Sequence, residues 1–134
     1  MNRPEVFPIN TNEYIEFIDI TNIVSEKIKK SGVTDGIVTI YTAHTTAGIT
    51  INENADPAVR SDMKRFFKDK IPHMEYFEHM EGNSPSHILS SLISPSETII
   101  LNDGKLLLGT WQGIFFCEFD GPRKRKVYIK IING

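Results

Sequence analysis

The run Ile114-Phe115-Phe116-Cys117 limits the possible folds of this chain more than any other segment. Successive side chains of a β-strand point to opposite faces, so a strand of this composition is apolar on both sides. One side must be covered by the core, the other by a helix layer or a second copy of the chain. The fold therefore needs at least two layers. A length of 134 residues is enough for one domain of that kind, spanning 1–134, with a hydrophobic core that needs no disulfide or structural metal.

The rest of the chain reads as short elements in irregular order. Residues 14–20 form a strand candidate. Thr21 then caps a helix in which Ile23, Val24 and Ile28 share a face, and Gly32 ends it. Residues 37–41 and 47–51 are β-branched strands. Asp56-Pro57 opens a helix carrying Val59, Met63, Phe66 and Phe67, which stops before Pro72. Ser84-Pro85 repeats that signal for a shorter helix running to about Leu92. Asn102-Asp103-Gly104-Lys105 is a hairpin turn between strands at 97–101 and 106–108. Two last strands, 114–119 and 127–132, flank Asp120-Gly121-Pro122. About seven strands and three helices without β-α alternation exclude a (β/α)₈ barrel. They predict an α+β fold of antiparallel, sandwich-like β-sheets with the helices packed outside.

Charge excludes some partners. The formal net charge is −2, which gives no general attraction to nucleic acid or to an anionic membrane. The basic run Arg123-Lys124-Arg125-Lys126 reads as a solvated turn before a strand. No apolar stretch has the length of a membrane span, and Met1-Asn2-Arg3-Pro4-Glu5 has no secretory apolar core. A cytoplasmic location is the expectation. The single cysteine, Cys117, lies in the apolar run and reads as a buried, inert thiol.

Three segments are more polar than a core requires: His44-Thr45-Thr46 continuing to Asn52-Glu53-Asn54, the stretch from Glu78 to His87, and Gly109-Thr110-Trp111-Gln112. His79 and His87 are eight residues apart across Gly82 and a helix start, a turn that can bring two imidazoles to one point. His44, at a strand end, offers a third nitrogen. Three histidines with an open fourth position make a catalytic zinc geometry; isolated histidines are more often structural or surface residues. His73 has no such setting and reads as surface. Glu53, Glu78 and Glu81 read either as a general base and supporting carboxylates or as solvated charges. Trp111 reads as a core residue or as a ring stacked on substrate. Arg60 and Asp62 fall on the solvated face of their helix.

Taken together, His44-Thr45-Thr46-Ala47, Asn52-Glu53-Asn54, Asp56-Pro57, Arg60, Asp62-Met63, Tyr76, Glu78-His79, Glu81-Gly82, Ser86-His87, Gly109-Thr110-Trp111-Gln112 and Asp120-Gly121-Pro122-Arg123 resemble, in this order, the YjbQ-like proteins. These are also called the secondary thiamine-phosphate synthase family. The resemblance runs from about Ile15 to the C-terminus. It implies a compact α+β homotrimer with a weak thiamine-phosphate synthase activity, joining a pyrimidine pyrophosphate to a thiazole phosphate and releasing pyrophosphate. It also implies a metal at His44, His79 and His87; the imidazole donors favour zinc, and a pyrophosphate substrate would bring Mg²⁺. Many relatives carry a lysine where this chain has Leu89, which would leave phosphate holding to Arg123 or to a neighbouring subunit.

Loss of pyrophosphate leaves a cationic methyl centre, so catalysis would be positional and electrostatic. On this reading Glu53, Trp111 and Arg123 are catalytic, and Thr45, Thr46, Asn83 and Gln112 bind a small phosphorylated metabolite. Two alternatives stand beside it: a metal-dependent phosphoester or pyrophosphate hydrolase, and a non-catalytic trimer that binds a metabolite or regulates a partner.

Overall fold

The computed structural model describes residues 3–134; Met1 and Asn2, which entered the reading of the N-terminus, lie outside the described residues. In chain order the elements are β1 (Glu5–Asn10), β2 (Glu16–Asp19), α1 (Thr21–Ser31), β3 (Gly36–Tyr41), β4 (Ala47–Glu53), α2 (Pro57–Lys70), α3 (Ser84–Ile93), β5 (Ser96–Asn102), β6 (Lys105–Leu106), β7 (Gln112–Glu118) and β8 (Lys124–Asn133). A five-stranded sheet in the order β1-β8-β3-β5-β6 faces a three-stranded sheet in the order β2-β7-β4. Every pairing is antiparallel. This is the expected α+β sandwich with three helices.

The two faces of β7 are both covered, and by this chain alone. Ile114 and Phe116 enter a core shared with Val38, Ile40, Ile129 and Ile131 of the large sheet and with Val24 and Ile28 of α1. Phe115 and Cys117 enter a second cluster with Ile15, Phe119 and Leu89 of α3, flanked by Phe67 of α2. A helix layer, not a second copy, thus answers the demand of the apolar run. The thiol of Cys117 is fully buried, and that burial pushes its pKa up, so it is held as the inert protonated group.

Local chemistry places most element ends where the sequence puts them. Asp56 caps α2 through its carboxylate, which accepts from the Ala58 N–H at 2.9 Å, with Pro57 in the first turn. Replacing Asp56 with alanine should cost about 1 kcal/mol in urea denaturation, with no change in ligand binding. Gly32 ends α1 in the left-handed region at φ 72°. Asp103 and Gly104, at φ 56° and 76°, make the two-residue turn between β5 and β6.

Four readings change. Strand β1 escapes sequence detection because Pro8 interrupts it; β1 is an edge strand, where a missing N–H is tolerated. Thr21 does not cap α1: its hydroxyl donates to Asp19 and accepts from the Ile114 N–H. No α2 residue is fully buried, and Phe66 is exposed on its apolar side. The basic run is not a solvated turn, for β8 begins inside it and Arg125 is buried.

Candidate functional site

One open pocket of about 340 Å³ gathers Ala43, His44, Thr45, Thr46, His79, Glu81, Asn83, His87, Arg123 and Arg125. It lies where β4 begins, β7 ends and β8 starts. The β3–β4 connection supplies His44 and Thr45, the segment before α3 supplies His79 and Asn83, and the first turn of α3 supplies His87. Three imidazoles from two separate segments of the chain therefore line one pocket.

Its floor is a buried ion pair that the sequence reading missed. Glu118, fully buried, accepts from Thr11 Oγ1 at 2.6 Å, from the Asp120 N–H at 2.9 Å and from Arg125 through Nε at 2.9 Å and Nη2. Arg125 Nη2 also donates to the carbonyl and hydroxyl of Thr46 at 3.2 and 2.8 Å. Thr46, read as a substrate contact, is instead a buried part of this floor with its hydroxyl engaged. A signal did exist. Along β8, Arg125 is in step with Val127, Ile129 and Ile131, so period-2 alternation puts it on the inward face.

Arg123 remains half exposed at the rim. It donates through Nη2 to Asp120 Oδ2 at 2.7 Å and through Nε to the Asp120 carbonyl at 2.8 Å. The Asp120 hydrogen bond, reinforced by its charge, raises the Arg123 pKa further above its ordinary value. Asn83 donates to the same carboxylate oxygen at 2.8 Å. Its own Oδ1 is the one buried side-chain N or O atom without a partner among the described residues.

His79 and His87 stand edge to face with ring centres 5.1 Å apart. Two imidazoles on one tetrahedral zinc, at Zn–N of about 2.0–2.1 Å, place their ring centres roughly 5 Å apart. The ring-centre spacing of the pair is of that size, and Glu81 Oε1 lies 3.9 Å from His79 Nε2. Among the described residues, however, no three His, Cys, Asp or Glu side chains are grouped closely enough to hold a metal. His44 Nε2 accepts the Lys126 backbone N–H at 3.0 Å.

Partial burial, followed by the charge of Arg125, holds the His44 pKa below its ordinary value. The unfolded chain thus takes up a proton at a higher pH than the folded one. The contribution of His44 to stability is therefore present above the unfolded value of about 6.5 and declines as pH falls below it. His44→Gln should lessen the acid-side fall in stability, read as urea midpoints between pH 7.5 and 5; identical slopes would refute that assignment.

The other predicted residues lie elsewhere. Ala47 pairs with Glu118 at the pocket end of the β4–β7 ladder, and Glu53 pairs with Gln112 at the far end. Six residues of strand separate the two ends by roughly 20 Å. Glu53 accepts the Asp56 N–H, Gln112 accepts the Gly109 N–H, and Trp111 is 62% exposed, neither core nor pocket. Arg60 is not on a solvated face: its guanidinium lies over the Phe115 ring at 5.4 Å. At that end Asp19 would be raised by burial, but hydrogen bonds from Thr21 and Asn54 outweigh this and lower its pKa. Glu78 and His73 are exposed away from the pocket, the latter edge-on to Phe77. Leu89 is a core residue, so position 89 does not face the pocket and holds no phosphate here.

Comparison with known proteins identifies this arrangement. The family model described as UPF0047 protein YjbQ-like matches residues 5–134. The chain belongs to the YjbQ-like family. A UPF0047 protein of Methanocaldococcus jannaschii is 58% identical over 127 residues, covering 95% of this chain and 92% of the relative. The UPF0047 protein YugU of Bacillus subtilis is 52% identical, covering 93% and 96%. A YjbQ-like crystal structure from Clostridium acetobutylicum superposes with a TM-score of 0.93 at 51% identity, covering 96% of this chain and 99% of that one. One from Sulfolobus solfataricus, of unknown function, gives 0.93 at 30%, covering 98% and 97%. Among the described residues of this YjbQ-like chain, no helix is long and apolar enough to cross a membrane.

Proposed function

We propose that this YjbQ-like protein is a metal-dependent transferase acting on a phosphorylated heterocycle, joining a pyrimidine pyrophosphate to a thiazole phosphate with release of pyrophosphate. The observation that carries the reading is the shared pocket, in which His79 and His87 stand at ligand spacing beside Arg123 and a set of polar donors. His79 and His87 would hold the ion, and imidazole donors suit zinc; Mg²⁺ would enter with the pyrophosphate. Bound there, the metal would supply positive charge to the leaving oxygens. Thr45, exposed at the rim, and Arg123 contribute directed donors on the same side.

Glu53, Trp111 and Gln112 reach a pocket of this kind only if a neighbouring copy presents them. The homotrimer is accordingly part of the proposal. Light scattering gives the assembly, and metal analysis of untagged protein gives the ion. Turnover is measured with the two precursors together and with each phosphoester alone. Coupling of the two supports the transferase, release of phosphate from one alone identifies a hydrolase, and binding without turnover leaves a metabolite-binding protein.

A further inference from the structure

We propose that His44 serves this pocket as a neutral hydrogen-bond donor, through Nδ1–H, to an anionic oxygen of the ligand, and that it is not a metal ligand. The inference rests on the reading of the pocket as a phosphate-ester site and assigns one residue's role within it.

The argument begins with the Lys126 backbone. Its N–H donates to His44 Nε2 at 3.0 Å, so Nε2 carries no proton and the neutral ring carries it on Nδ1. A metal-binding histidine has the reverse polarity, with one nitrogen on the ion and the other N–H donated to an acceptor. Here the second nitrogen meets a donor. Ligation through Nδ1 would put an N–H on Nε2 against the Lys126 N–H, and ligation through Nε2 would break the Lys126 bond. Nδ1 itself has no hydrogen bond among the described residues, and it is not among the buried unpartnered atoms, so it reaches solvent.

The pocket needs such a donor. Arg123 is already paired with Asp120, and Arg125 with Glu118. With both cations of the pocket lining paired, directed N–H groups there add to the charge of nearby Lys126 in attracting an anion. Arg125 Nη1 is a second candidate, with no hydrogen bond among the described residues and no place among the buried unpartnered atoms. Burial and Arg125, against the opposing charge of Glu118, also disfavour the imidazolium form.

Two substitutions separate the possible roles. Asparagine keeps an N–H near the Nδ1 position but cannot reach Lys126; glutamine keeps an acceptor near Nε2 but offers no donor at Nδ1. Inorganic pyrophosphate is the probe, titrated by calorimetry into the intact protein, with circular dichroism confirming the fold of each variant. His44→Ala and His44→Gln should weaken binding by roughly 10-fold or more, as loss of a hydrogen bond to a charged group does. His44→Asn should stay within about threefold of wild type, and metal content should be the same in all. Nitrogen-15 spectra should show His44 protonated on Nδ1. Rescue by glutamine instead of asparagine, loss of metal from His44→Asn, an Nε2–H tautomer, or no pyrophosphate binding by the wild type would each overturn the assignment. Equal binding by all four proteins overturns it while leaving the transferase reading intact. Expected binding with no coupling of the precursors does the reverse.

Discussion

Glu118→Ala is expected to lower the unfolding free energy by about 3–5 kcal/mol, the cost of stranding a buried charge. A domain of this kind has a total of about 5–15 kcal/mol, so this one side chain decides whether the protein is well folded. The reason is the number of groups that depend on it: the Thr11 hydroxyl, the Asp120 N–H and the Arg125 guanidinium all donate to the same carboxylate. Removal leaves Arg125, only 5% exposed, without its counter-charge beneath the pocket. Glu118→Gln keeps an oxygen acceptor and should cost less. The double replacement Glu118→Leu with Arg125→Met should recover most of the loss, since a packed apolar pair needs no compensation. The recovered fold should still bind pyrophosphate poorly, because Thr46 and the neighbouring His44 loop would lose the Arg125 bonds that seat them. Urea denaturation measures the first effect and calorimetry the second. A loss below 1 kcal/mol for Glu118→Ala would mean that water reaches the pair.

That ion pair also marks the limit of what the sequence disclosed. Patterns repeating within one element were legible: Asp56-Pro57 as a helix start, Asp103-Gly104 as a turn, and the doubly apolar β7 as a strand needing two covers. That His44, His79 and His87 line one pocket was suggested by their polar segments and the turn at Gly82, and named as a set by the family resemblance. Facts set by partners distant in sequence were hidden. Thr11 and Glu118 are 107 residues apart, and His44 and Lys126 are 82 apart. Four basic residues in a row look solvated until one of them is paired with a buried carboxylate. Pro8 hid β1 because a central strand would exclude it, and only the sheet order reveals an edge. Glu53, Trp111 and Gln112 were grouped with the histidines because all are polar and irregular, yet the β4–β7 ladder holds them at its opposite end.

His87→Ala is the second large effect. His87 sits in the first turn of α3, where its backbone is anchored through the Asn83 carbonyl, and its ring is only half buried. The fold should therefore survive the change, and a melting temperature measured without metal should move little. With zinc present the outcome should differ. Zinc affinity should fall by at least the roughly 10–100-fold that loss of a mere supporting partner costs, and the metal-dependent rise in melting temperature should shrink with it. Coupling of the two precursors should drop below detection. His79→Ala should behave alike, because the two rings share the 5.1 Å spacing that one ion would bridge. Trp111→Ala should leave zinc binding untouched, since its ring lies at the other end of the ladder from both histidines. Any loss of turnover in that variant would then come from a neighbouring copy, and mixing inactive Trp111→Ala with inactive His87→Ala protein tests this directly. Mixed assemblies can restore an intact site only if one copy supplies the histidines and another the tryptophan.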